Sequence, residues 1–426
     1  MNVKKTTTSK RGPHRTSHEP GQTSRAGLLF ALFVTGFSAF ITLYATQPML
    51  PRFREIFHTS EVAVSLTVTA PVLAIALLAP IEGLIADTLG RKRVIVATLL
   101  GAAIPTLLAG LSHTLGQLIF WRFCQGIFIP GIIAVTMAYI SEETPRHLTG
   151  STMAIYVTGT VVGGFSGRFL TGLIVSRWEW PLAFEVIGVL ALAGGLLTWW
   201  LLPASQKFVR QNSIGASLKS MRSHLRNPRL LATYGVGFNC LFSLVGAFTY
   251  INFHLADAPF HLGPTALASV FGVYLIGAVI TPVAGRVLDR IGHRRALMRA
   301  AGALAFGGLL TLVPSLPVIV LGLAILASSA FTSQASASSF VGRAAKQARS
   351  SASGLYVAFY YLGGCTGSIL PGFIWKWTGW AGCIGLIIAV QAVTAWMAYK
   401  YWREEAEATP STSPESLSGP SVEVVG

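Results

Sequence analysis

At 426 residues, 52% hydrophobic and 11% charged, the chain carries more apolar surface than a soluble domain could cover. A net charge of +16 would suit nucleic acid, but the basic residues fall in connections between apolar runs, which is a topology signal and not a phosphate-binding face. Cys124, Cys240, Cys365 and Cys383 lie inside apolar runs without paired spacing, as small fillers and not as a disulfide or metal framework.

Lys4, Lys5, Lys10, Arg11, Arg15 and Arg25 precede the first apolar run, which is longer than a secretory leader and is expected to stay attached. A helix needs roughly 20 apolar residues to cross the hydrocarbon. Runs of that kind start near Ala26, Val62, Val94, Leu115, Thr149, Pro181, Leu230, Pro264, Ala296, Pro317, Ser351 and Ala381. They are apolar all round and far longer than the alternating strands of a membrane barrel, which predicts an all-α integral membrane protein of twelve transmembrane helices.

The chain repeats itself. GLIADTLGRKR, from Gly83 to Arg93, returns as GRVLDRIGHRR, from Gly285 to Arg295. Tyr156 with Gly163, Gly164, Gly167, Gly172 and Trp180 returns as Tyr356 with Gly363, Gly364, Gly367, Gly372 and Trp380. Two pseudo-symmetric six-helix bundles follow, with any substrate site between them. The expected organisation is an N-terminal tail at 1–25, a first bundle at 26–202, a basic linker at 203–229, a second bundle at 230–403 and a polar, Pro- and Ser-rich disordered tail at 404–426. The excess of Lys and Arg in alternate connections predicts cytoplasmic tails and linker, in a multi-pass protein of the cell inner (plasma) membrane.

GLIADTLGRKR resembles the loop between the second and third spans of the major facilitator superfamily, and its degenerate copy lies where that family places it. The resemblance implies a transporter fold and a cytoplasmic latch between the halves. Its members would be Gly83, Asp87, Gly90 and Arg91, with Gly285, Asp289, Gly292 and Arg294 in the copy. The plainer reading, that these charges only set topology, does not explain an Asp or two glycines.

Arg122, with Gln125 and Gly126, looks like the family's fourth-span motif, which implies a part in proton coupling; snorkelling to the headgroups is the alternative. GTVVGGFSGRFLTG resembles the glycine-rich fifth-span stretch of the family's antiporters, with Gly159, Gly163 and Gly167 forming a face for close helix contact. It departs at Gly164, where the pattern has Pro, and at Arg168, where it has Gly. Arg168 is then a functional charge or a snorkelling one. Glu185 is the acid set clearly within a span and is the candidate proton site.

The family builds its cavity on the first, fourth, seventh and tenth spans, which nominates Tyr44, Gln47, Gln125, Asn239 and Gln334 here. Such dilute polarity suits an amphiphilic solute better than a sugar, although each residue could instead bind one helix to another. Tyr356, Tyr360 and Tyr361 read as packing. The nine histidines sit in tails, loops and span ends without ligand spacing, and no ATPase phosphate loop is present. Neither an enzyme, a cofactor nor a metal is expected.

The whole reads as a monomeric secondary transporter, similar to the family's bacterial drug and metabolite efflux branch. It would move a small organic solute outward by alternating access, coupled to protons and surrounded by lipid. Proton symport or facilitated uptake of a metabolite is the alternative, and a channel or sensor on the same scaffold the reading from a different class.

Overall fold

Backbone groups in hydrocarbon find no water, so each segment must pair its own donors and acceptors. The computed structural model describes residues 25–205, 221–276, 279, 291–345 and 349–402, with backbone alone for 82–89, 146 and 349–350. No strand occurs among them. Both tails beyond these limits, residues 206–220 of the linker, Gly285 and Asp289 lie outside the described residues, and so does the Asp87 side chain.

Helix α1 (Arg25–Leu43) breaks and resumes as a 3-10 turn (Gln47–Met49) and α2 (Leu50–Ile56). There follow α3 (Glu61–Leu89), α4 (Arg91–Gly110), α5 (Leu115–Glu143), α6 (Arg146–Val175) and α7 (Trp180–Leu201). The second half holds α8 (Pro228–Ala256), α9 (Pro264–Val270), α10 (His293–Leu310), α11 (Leu316–Ala344) and α12 (Arg349–Tyr401). Among the described residues, eight stretches are long and apolar enough to cross a bilayer. The last of them lies in α12, which bends at Gly379 (φ 59°, ψ −145°) and serves as two spans. The glycine-rich α6, α10 with its basic first turn, and the segment starting at Pro264 complete twelve transmembrane helices in two pseudo-symmetric six-helix bundles.

The repeat has a physical counterpart in each half. A Cβ on Gly159, Gly163 or Gly167 of α6 would run into the backbone carbonyl of Phe33, Phe37 or Ile41 on α1. In the second half, Gly363 and Gly367 of α12 stand in the same way against Phe238 and Phe242 of α8. Backbone therefore meets backbone along two matched seams, the close approach that small residues permit in membranes. Gly90 (φ 91°) and Gly292 (φ 79°) open α4 and α10 in a conformation that L side chains disfavour.

Polar side chains tie each bundle internally. Thr35 of α1 meets Thr198 of α7 at 3.3 Å, while Gln391 of α12 donates to Ser243 of α8 at 2.8 Å and Trp402 to Thr233 at 3.1 Å. The four cysteines are unpaired, three of them buried.

Candidate functional site

The break after Leu43 leaves carbonyls at the end of α1 without helical partners. Arg122 of α5 fills that gap: it is 0% exposed, and its guanidinium donates to the carbonyls of Thr42 (2.8 Å) and Leu43. Its Nε donates to the carbonyl of Thr67 at 3.0 Å. That carbonyl is available because the residue one turn later is Pro71, which has no N–H to give it. Gln125 Oε1 accepts a further bond from Arg122, and Gly126 lets the Pro71 backbone press against α5. Arg122, Gln125 and Gly126 thus share one helical face and serve one purpose, gripping two interrupted helices. Arg122 does not snorkel, and its partners here include no carboxylate.

Arg168 of α6 is 4% exposed. Its Nε donates to Gln47 Oε1 at 2.8 Å and its Nη1 to the Gly164 carbonyl at 2.7 Å. A Cβ on Gly164 would sit 3.3 Å from that Nη1, so the two departures from the antiporter pattern are a single feature: Gly164 makes room for Arg168 to fold back one turn. Three rings surround the guanidinium carbon, Tyr44 at 4.8 Å, Phe271 at 4.8 Å and Tyr274 at 4.9 Å. Tyr44 comes from the first half and the other two from the second. Gln47 also reaches across, donating to Thr249 of α8 at 3.4 Å.

At the same end of the bundle, Arg54 on α2 binds Asp257, the residue after α8, through both nitrogens (2.8 and 3.3 Å), and also Glu61 at 3.1 Å. Gly172 of α6 packs on Pro264 and Ala268 of α9. Along the middle, α3 and α12 meet through Thr69 and Ser368 at 2.7 Å and through Val72 against Gly364. No comparable packing joins α5 to α11 among the described residues.

Of the tyrosines read as packing, Tyr360 and Tyr361 stand at this junction, beside Tyr44 of the other half, whereas Tyr356 packs on Gly237 of α8 in its own half. Tyr356 and Tyr360, one turn apart on α12, stack at 6.1 Å, and Tyr361 meets Tyr360 edge-on at 5.5 Å. Tyr361 lies within electrostatic reach of Tyr44 and Tyr156 from the other half. The hydroxyls of Tyr156 and Tyr356, which occupy matching places in the repeat, are buried without a hydrogen-bond partner among the described residues, as is Gln125 Nε2. Their recurrence in both copies was the available signal, and aromatic residues at helical spacing concealed it.

Other nominated residues are dispersed. Glu185 is exposed on α7 beside Gly110, away from Arg122 and Arg168, because its position one turn into α7 turns it outward. Asn239 donates to Thr394 of α12 at 2.9 Å, tying helices of one half, and Gln334 is half-buried on α11. In the signature loop, Arg91 is bound within its own half by Glu142 of α5 at 2.8 and 3.1 Å. The corresponding residue of the copy is His293, whose Nε2 pairs with Ser339 at 3.0 Å, whereas Arg294 stacks on Tyr399 at 4.5 Å. Arg294 therefore does not stand in for Arg91.

A profile of the Major Facilitator Superfamily matches residues 32–258 and 256–423. The inner membrane transport protein YnfM of Escherichia coli (strain K12) is 33% identical, covering 86% of this chain and 88% of the relative. The uncharacterized MFS-type transporter YybF of Bacillus subtilis (strain 168) is 31% identical over 87% and 92%. Among solved structures, a mutant of the nucleoside transporter NupG shares the fold at a TM-score of 0.74 and 16% identity, covering 88% of this chain and all of that one. Two matched bundles, a junction built from both, and relatives of one kind matched over most of their length agree: the chain belongs to the major facilitator superfamily and is a multi-pass membrane transporter.

Proposed function

We propose that the chain exports a small organic solute by alternating access, its two six-helix bundles (26–202 and 230–403, joined by the 203–229 linker) rocking about the tyrosine-lined junction. The observation that carries this reading is the difference between the ends: Arg54, Asp257, Arg168 and Gly172 join the halves at one of them, while towards the other α3 and α12 meet at Pro80 and Gly354 but, among the described residues, α5 and α11 make no comparable contact. Buried hydroxyls without partners each cost about 1–3 kcal/mol. Tyr156 and Tyr356 recover that loss when a solute or the opposite state supplies a partner.

The sealed end faces outward if the basic connections are cytoplasmic, which puts both termini inside. Likeness to an inner membrane transport protein supports placement in the inner membrane. Asp87, Gly83, Gly90 and Arg91, with the second copy around Gly292, then form the inner latch that closes when the outer seal opens.

Proton exchange is the favoured drive, supported by the glycine seam that resembles that of antiporters. Facilitated uptake is the second reading. One observation favours it: among the described side chains no Asp or Glu is buried within a span, Glu185 included. Reconstituted vesicles decide between them. Saturable solute flux that rises with an imposed pH gradient supports exchange, saturable flux indifferent to it supports facilitation, and non-saturating electrogenic flux overturns the carrier.

The seal itself is testable. Asp257→Asn removes one charge from a half-exposed pair worth about 0.5–1 kcal/mol. Spin labels at Arg52→Cys and His261→Cys, both exposed, report the separation of the halves there. The expected result is a roughly two- to fivefold gain in the wider population. An unchanged distance distribution would show that Arg54 and Asp257 are not part of a gate.

A further inference from the structure

Resting on the carrier reading, we infer that the solute is an organic anion with an apolar or aromatic body, and that its anionic group binds Arg168 in exchange for the rings of Phe271 and Tyr274. A guanidinium buried at membrane depth is costly unless a charge, a dipole or a ring system compensates it. Here the compensation is neutral: one amide oxygen, one backbone carbonyl and three aromatic faces, with no carboxylate among the described residues.

The compensation is also divided between the moving parts. Gln47, Gly164 and Tyr44 travel with Arg168 in the first half, whereas Phe271 and Tyr274 belong to the second. When the sealed end opens, the guanidinium loses two of its three rings and keeps its fixed neutral acceptors. Among the described residues its Nη2 makes no hydrogen bond, so a donor and a full positive charge face the space that opens. A carboxylate, sulfonate or phosphate monoester pairs with that fork geometry. The neighbouring Tyr44, Tyr360 and Tyr361 offer the apolar walls for the body of the molecule.

Rings and anion are therefore alternative covers for one cation. A ligand shifts a two-state equilibrium by its differential affinity, and this one binds the state in which the rings have left. Anion binding then favours opening of the sealed end, and a cationic or neutral analogue of the same shape does not.

Three probes of one shape separate charge from size: 2-naphthoate, 2-naphthamide and 2-naphthylmethylammonium. Binding is measured by equilibrium dialysis against the purified full-length chain, with empty micelles subtracted. Saturable binding of the naphthoate, with at least tenfold weaker binding of the other two, is expected. Arg168→Gln should lower naphthoate affinity to that of the amide, while Arg168→Lys keeps part of it. Misfolding could mimic that loss, so a gain is measured as well. Phe271→Leu and Tyr274→Leu remove the competing cover and should tighten naphthoate binding about two- to fivefold, the size of one cation–π contact.

Naphthoate should widen the 52–261 spin-label distance in the parent chain and leave it unchanged in Arg168→Gln. Equal binding of the three probes, no saturable naphthoate binding, or weaker binding in both leucine variants overturns the anion assignment. If the halves separate in Asp257→Asn while naphthoate fails to bind, the carrier reading stands and the anion class falls. Naphthoate that binds through Arg168 but never crosses vesicle membranes would keep the site and remove the carrier.

Discussion

Replacing Arg122 with Ala should leave the chain inserted but its first bundle unstable, with a loss of about 3 kcal/mol or more. The figure takes about 1 kcal/mol for each of the three buried carbonyls, Thr42, Leu43 and Thr67, that would lose their donor. Arg122→Lys should recover little, because one ammonium cannot reproduce the planar fork that reaches α1 and α3 together. Thermal melting of the purified protein in detergent measures both. A normal melting profile in Arg122→Ala, accompanied by transport that no longer responds to pH, would instead assign Arg122 to proton coupling, the role its motif implies.

That contrast marks the boundary of what was legible in the sequence. Repeats, spans and the glycine face depend on local spacing: Gly163 and Gly363 recur with the same neighbours, and a helix that must approach another closely shows small residues one turn apart. Arg122 was visible as a charge in a span, but its purpose depends on two defects elsewhere, the end of α1 at Leu43 and the missing N–H of Pro71. A single segment carries no record of such a pairing. Arg168 was harder still, since two of its rings come from positions more than a hundred residues away in the other half.

Glu185 illustrates the converse error. Its depth in the chain was correct, but helical phase decides which side of α7 it occupies, and it is exposed. Tyr360 and Tyr361 have the phase that places them at the junction while Tyr356, one turn away, packs on α8 of its own half, and aromatic spacing alone cannot separate a lining from a core.

The glycine seams carry the second large effect. Gly167→Val and Gly367→Val put branched side chains where the backbone carbonyls of Ile41 and Phe242 already lie, and Gly363→Ala does the same against Phe238 with a single methyl. A flexible side chain could swing aside, but backbone can move only with its helix, so overpacking of this kind costs about 1–3 kcal/mol or more. Gly302→Ala in α10 is the control. A Cβ there meets nothing within 4 Å, and alanine favours the helix over glycine by about 1 kcal/mol, so its melting temperature should hold or rise. Because the two seams lie in different bundles and share no partner, the losses in Gly167→Val and Gly367→Val should be similar in size and add in the double variant. Strong non-additivity would mean that the halves melt as one body and that the junction, not each seam, limits stability.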